Sequence, residues 1–568
     1  MSKYQELSSF IWSVCDDVLR GLFKPHEYGD IILPFVVLRR LDCVLELNKE
    51  EVYQLYEKYK KTVDDPTPII RNKIKKEFYN YSKYDLSRLK SDPKNIHINF
   101  QSYVNSFSKN VYEIIENFQL EKPVEKLQKN NKLFILIDKF TEIDLHPSVV
   151  DNHTMGQIFE ELLRKFSEMS NETSGEHYTP RDIVRLLVSV VFSENKNDLQ
   201  GVGKIRSIFD PCCGTGGMLT IGKEWILENI NPKIEIKLNG QELNPQTFSI
   251  CKSDMLISGE NTDSIILGSS LSQDGFYSDK FDYMITNPPF GVSWKSEEEF
   301  VVNESNNPQG RFSVGTPRTS DGSLLFLQHM ISKMESKGSR IGVVFNGSPL
   351  FTGDSGSGES EIRKWIIEND WLECVVQLPD SLFFNTGITT YIWIVNNKKK
   401  PNRKGKVQLI NGSDLSTPLR KNLGEKNVFI SDEQCQLIQN IYNEFVENER
   451  SKIFNNSHFG YTKISIEQPL KENGEIVKDK KGNIKTDGSL RDTERIPLGL
   501  DIEEYFEREV KPHLPESFMD RSKDSIGYEI NFTKYFYQYK PLRSLEDLTK
   551  ELLKLEKESD GLMNKLIS

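Results

Sequence analysis

The sequence predicts an α/β protein built on a doubly wound, largely parallel sheet, preceded by an α-helical domain and followed by a helical tail. Three observations carry this. Apolar residues recur at helical spacing up to about residue 165. From there to 400, short β-prone apolar runs alternate with helix-length segments, the pattern of β-α-β units. Past 400 the pattern turns irregular until a leucine-bearing helix closes the chain. At 568 residues the chain exceeds one core, and the expected division is 1–165, 166–400, 401–540 and 541–568.

Within 1–165, "SSFIWSVCDDVLRGLF" places Ile11, Val14, Cys15, Val18, Leu19 and Leu22 on one helix face, with Ser8 or Ser9 as N-cap. "ILPFVVLRRLDCVLEL" and "NKLFILIDKF" add apolar helices, and "HTMGQIFEELLRKFSEMS" aligns Met155, Ile158, Phe159, Leu162, Leu163 and Phe166. In the core the strands are "RSIFDP", "EIKLNGQE", "SIILGS", "FDYMITNPP", "SRIGVVFNG", "LECVVQLP" and "TTYIWIVNN". The last follows its predecessor so closely that it is expected to pair antiparallel at an edge. Between 401 and 540 the charged, glycine-punctuated "NGEIVKDKKGNIKTDG" reads as an exposed hairpin. The final helix starts at an N-cap, Ser544, and sets Leu545, Leu548, Leu552 and Leu555 on one seam.

Composition narrows function. Net charge is −11, a poor footprint for gripping nucleic acid unaided, because phosphate contacts supply most non-specific affinity. The seven cysteines and eight histidines show no CxxC or HExxH spacing, so neither a zinc site nor a disulfide framework is expected. No long apolar run and no basic-then-apolar leader occur, so no membrane association is expected and the expected address is the cytoplasm.

Chemistry concentrates in four places. "SIFDPCCGTGGML" ends a strand at Asp210 and opens a helix through Gly214, Thr215, Gly216 and Gly217, where glycines admit a ligand to the backbone. No Lys-Ser/Thr follows, which argues against a triphosphate loop. An acid ahead of that loop suits a cofactor bearing an amino acid and a cation. Glu242 closes the next strand, where doubly wound folds put a carboxylate on ribose hydroxyls, and S-adenosylmethionine offers that diol. "GEHYTPRDIV", carrying Glu176, His177, Tyr178, Thr179, Pro180 and Arg181, enters a helix with Pro180 in its first turn.

The fourth place is Asn287-Pro288-Pro289-Phe290 at the end of an apolar strand. Two prolines there forbid helix or central strand and stiffen the loop. Asn287 Oδ1 and the Pro288 carbonyl can accept from an exocyclic amine, Pro289 keeps them still, and Phe290 can stack on a flipped-out base. No strong base is required, since the amine sheds its proton after gaining the methyl.

Together these residues give a resemblance to the methylation subunit of type I restriction-modification systems, an S-adenosylmethionine-dependent DNA adenine-N6 methyltransferase. "GEHYTPRDIV", "DPCCGTGGML", "GQELNP" and "NPPFG" look like that family's motifs in its cofactor-before-catalysis order, and "GDIILPFVVLRRLDCVL" and "DSIGYEINFTKYFYQYKPLRSLEDL" resemble its flanks. The resemblance implies a Rossmann-like methyltransferase core. Glu176 to Arg181, Asp210, Gly214 to Gly217 and Glu242 then line the cofactor, and Asn287 to Phe290 meet the target adenine. It also implies double-stranded DNA as substrate, a separate specificity subunit flanked by two copies of this chain, an optional restriction subunit, and docking of the last helix on a partner. Two departures stand out: Cys212-Cys213 where small residues are usual, and "LGSSL" (267–271), which lacks an acid or amide after Gly268 for the cofactor's adenine. Asp254 or Asn261 are the candidates to replace it. Two other readings remain open: methylation of RNA guanine or protein glutamine, and a catalytically silent scaffold.

Overall fold

The computed structural model describes residues 3–170, 179–194, 196–472, 475–479, 482, 484–537 and 544–567. They fall into two compact units, Met1–Ile530 and Asn531–Ser568.

In the first unit, α1 (Lys3–Val14) starts well before Ser8 and runs into a π turn, Cys15–Leu19. Ser8 and Ser9 therefore lie inside the helix and do not cap it, because nothing between Lys3 and Leu7 breaks helical geometry. Helix α2 (Gly29–Leu45) buries every residue except Asp30, as expected of a helix apolar all round. In its deeply buried guanidinium, Arg40 Nη1 donates to the Leu145 carbonyl at 2.9 Å and the Val150 carbonyl at 3.0 Å, while Nε lies 3.9 Å from Asp254. Helix α3 (Asn152–Ser170) delivers Met155, Ile158, Phe159, Leu162, Leu163 and Phe166 to this core, the face read from the sequence.

After α4 (Arg181–Ser193), a nine-stranded sheet forms from β1 (Ile205–Asp210), β2 (Glu235–Glu242), β3 (Ile265–Leu267), β4 (Tyr283–Thr286), β5 (Arg340–Asn346), β6 (Leu372–Gln377), β7 (Thr390–Asn396), β8 (Lys406–Asn411) and β9 (Ser451–Asn455). Their order is β9-β8-β6-β7-β5-β4-β1-β2-β3. Strands β3, β2, β1, β4 and β5 are mutually parallel, so their carboxyl ends line one edge. The connecting helices include α5 (Gly217–Asn229), α6 (Pro245–Ile257) and α7 (Ser323–Ser332). Ile250 and Leu256 of α6 join the helical core, seating that region against the sheet layer.

Two expectations change here. Strand β7 is antiparallel, but it lies inside the sheet between β5 and β6, with all seven residues buried. An apolar run covered on both faces has no reason to sit at an edge. The sheet also runs past residue 400, taking β8 and β9 from the stretch expected to be irregular, and a separate four-stranded sheet forms around β10 (Gly460–Glu467). Ile464 and Ile466, spaced two apart in "GYTKISIE", are both buried in it. The hairpin pairs Lys471–Glu472 with Glu475–Ile476, all exposed.

In the second unit, α8 (Leu545–Ile567) begins at Ser544, whose Oγ accepts from Asp547 N at 3.1 Å. Among the described residues, no helix is long and apolar enough to cross a membrane, and no cluster of metal-ligating side chains forms.

Candidate functional site

The carboxyl ends of β4, β1, β2 and β3 open into one cleft of about 500 Å³, a volume suited to a nucleoside-sized ligand. Asp210 closes β1 and is 1% exposed. Its Oδ1 accepts from Thr286 Oγ1 at 2.6 Å and from Cys212 N at 2.9 Å. Burial pushes this carboxyl up to about 7, and the Glu242 charge adds to the rise. The Thr286 bond also ties β4, and with it Asn287, to the glycine loop.

In that loop Gly214 has φ +54° and Gly216 has φ +83°, conformations that L side chains rarely adopt. A Cβ on Gly214 would meet no protein atom within 4 Å, whereas one on Gly216 would lie 2.8 Å from Cys251 Sγ. The first glycine leaves ligand space; the second permits close packing on α6. The unusual Cys213 is accommodated because residue 240, opposite it on β2, has no side chain: a Cβ there would sit 2.9 Å from its sulfur.

Glu242 Oε2 accepts from Gly214 N at 2.9 Å and its Oε1 from Asn244 N at 2.8 Å, which fixes the carboxylate at the cleft wall. Thr179 lines the same cleft. Pro180 sits at the N-cap of α4 instead of inside its first turn, its ring closing off a backbone donor there. Arg181 turns away into a second, polar cavity of about 200 Å³, where Nη1 donates to His153 Nδ1 at 2.8 Å and Nη2 to Glu160 Oε1 at 3.3 Å. It reaches the cleft only through Glu160, which lines it. Glu176, His177 and Tyr178 lie outside the described residues.

Asn287 and Pro289 face the cleft, while Pro288 is buried behind them. Phe290 is 6% exposed and packs edge-on against Phe383 at 5.8 Å, so the stacking surface expected of it is occupied by protein. The adenine-side candidates are displaced too. Asp254 borders the second cavity, 3.9 Å from Arg40. Asn261 caps the turn Thr262–Ser264 with its side-chain oxygen.

Sequence reading missed Glu160, Ser269, Ser270, Trp294, Glu297 and Phe326, all cleft-lining. Trp294 and Glu297 follow soon after "NPPFG", the available signal, but their approach to β3 depends on a long return loop. Ser270 Oγ donates to the Pro211 carbonyl at 2.6 Å, locking the β3 loop to the β1 loop.

Comparison with known proteins agrees with this geometry. Residues 150–475 match the N-6 DNA Methylase family and residues 7–140 the HsdM N-terminal domain. The type I restriction enzyme MjaIX methylase subunit of Methanocaldococcus jannaschii is 26% identical over 547 residues, covering 92% of each chain. The EcoEI methylase subunit of Escherichia coli is 32% identical over 274 residues, 45% of this chain and 49% of that one. In fold, the chain is similar to the type I restriction-modification methyltransferase subunit of Streptococcus thermophilus, with TM-score 0.63 and 20% identity, over 80% of this chain and 97% of that one. The match that contains the cleft spans more than half of the sequence, and the chain belongs to the N-6 DNA methylase family.

Proposed function

We propose that the chain is the methylation subunit of a type I restriction-modification complex, methylating N6 of an adenine in double-stranded DNA from S-adenosylmethionine. The observation that carries this is one cleft holding Asn287 just after β4, Asp210 at the end of β1 with the glycine loop that follows it, and Glu242 at the end of β2. The likeness to methylase subunits along nearly the full chain supports the assembly. In it a specificity subunit chooses the site between two copies of this chain, a restriction subunit can join, and the exposed leucine seam of α8 docks on a partner.

The cleft residues fit S-adenosylmethionine. Glu242 offers acceptors to a ribose diol, Asp210 a carboxylate to a cationic end, and Gly214 open space for close approach. When bound, that cofactor supplies an electrophilic methyl group. The chain's own contribution is orientation. Asn287 Oδ1 and the Pro288 carbonyl accept from the target amine and leave its lone pair directed at the cleft. The proline pair and the Thr286–Asp210 bond keep these acceptors from relaxing. In the state described, Phe290 braces the loop against Phe383 and must leave that contact to stack on a base.

The purified chain should methylate DNA poorly until a specificity subunit is added, with tritium then appearing in N6-methyladenine. Asn287→Ala should abolish transfer while calorimetry still shows cofactor binding; retained turnover removes its role. Label in RNA or protein, with none in adenine, would show a different substrate.

A further inference from the structure

Sheet order fixes how a ligand lies along the cleft. Asn287 directly follows β4, Asp210 ends β1, Glu242 ends β2, and the loop Gly268–Leu271 follows β3, with Gly268 N bonded to the Glu242 carbonyl at 2.9 Å. A cofactor with its reacting end toward Asn287 and its ribose at Glu242 therefore lays its base over β3. The part of the β3 loop that lines the cleft, Gly268–Leu271, offers no carboxylate or amide, and Gln273 and Asp274 beyond it are not among the lining residues.

Another segment supplies one. Glu297, at the end of the turn Lys295–Glu297, lines the cleft beside Ser269. Ser269 Oγ donates to Glu297 Oε2 at 2.7 Å and accepts from Leu271 N at 3.2 Å. The hydroxyl thus gives its single proton to the carboxylate while a backbone N–H holds its oxygen in place. The turn is anchored by Trp294, 5% exposed, whose Nε1 donates to the Arg318 carbonyl at 3.0 Å. The carboxylate is thus held at the β3 end with acceptor capacity, on a segment that also follows the Asn-Pro-Pro-Phe loop.

We propose that Glu297, held by Ser269, is the acceptor for the 6-amino group of the cofactor's adenine, replacing the acid absent after Gly268. This rests on the methyltransferase reading above. It also makes adenine recognition depend on the segment that returns from the catalytic loop, so that one chain stretch joins target and cofactor ends.

The test is calorimetry on the full chain with S-adenosylhomocysteine and with its analogue bearing hydrogen in place of the 6-amino group. A hydrogen bond to a charged acceptor gives the wild type a preference of about tenfold or more for the amino compound. Glu297→Ala should reduce this to about onefold by weakening the amino compound alone, and Ser269→Ala should reduce it partly. Should the alanine variant fail to fold, the isosteric Glu297→Gln should drop the preference to about threefold, because a neutral acceptor makes a weaker bond. A full preference retained in the Glu297 variants overturns the proposal and leaves the methyltransferase reading intact. A wild type that binds neither compound overturns both.

Discussion

Replacing Arg311, which does not itself line the cleft, by methionine should loosen the β3 loop that does. The Arg311 side chain is 11% exposed, and its guanidinium makes a dense set of bonds. Nη1 donates to the Ser270 carbonyl and Nη2 to the Leu271 carbonyl, each at 2.7 Å. Nε and Nη2 fork onto Glu304 at 2.7 and 2.6 Å, and Nη1 also donates to His329 Nδ1 at 2.8 Å. Burial, with Arg311 and Lys333 adding to it, holds His329 well below its ordinary range and hence neutral, able to accept. Two backbone bonds at about 1 kcal/mol each and a charge-assisted fork worth about 1.5–3 kcal/mol give roughly 3–5 kcal/mol. That equals the usual cost of stripping one partner from a buried ion pair, about 3–5 kcal/mol.

A chain this long does not unfold in one step, so the assay is local: hydrogen exchange at the amides of 268–272. At about 1.4 kcal/mol per tenfold, exchange there should quicken by about 10²- to 4 × 10³-fold, and cofactor affinity should fall with it. Lysine at 311 should rescue little, since an ammonium cannot fork across a carboxylate and two carbonyls. Adding Glu304→Gln to Arg311→Met should recover part of the loss by removing the stranded carboxylate. Exchange within about threefold of wild type, or unchanged affinity, would refute the positioning argument.

Asp210 sets a pH dependence. Its carboxyl, raised to about 7 in the folded chain, takes up a proton that the unfolded chain releases near about 3.9. Its stabilising contribution is therefore complete below about 3.9 and lost as pH rises through about 7. Affinity for cationic S-adenosylmethionine should rise over the upper part of the same window, and Asp210→Asn should flatten both profiles in denaturation and calorimetry; an unchanged slope would show that another group titrates. Gly156→Ala tests the second cavity, because a Cβ there would lie 2.1 Å from Arg181 Nη2. The guanidinium must swing off His153 and Glu160, and cofactor affinity should drop by about tenfold, with Arg181→Ala adding nothing further; additive losses would show the two residues act separately.

What the sequence showed and what it hid divide along contact range. Helices α2 and α3 and strands β1 to β7 were legible because apolar period is a local property: "EIKLNGQE" coincides with β2 and "PQTFSICKSDMLI" with α6. The glycine loop and the proline pair were legible because each demands a backbone state few residues supply. Placement was not. Nothing local in "TTYIWIVNN" says that it threads between β5 and β6, although burial of both its faces required neighbours on each side. Arg181 read as a cofactor residue by its neighbourhood, yet Gly156, twenty-five residues upstream, opens the path that draws it to His153 and Glu160. Phe290 read as a stacking face, but apolar aromatic surface beside a core packs on that core unless a ligand competes for it. Glu297 had no periodic signal, and its nearness to "NPPFG" did not say which part of the cleft it would reach. It became visible only because the carboxylate missing after Gly268 posed a chemical demand, and the fold then brought an acid from the far side of the catalytic loop to meet it. The residues hardest to read from sequence are those whose role is set by a partner distant in the chain, and in this cleft they determine how the two ends of the site are joined.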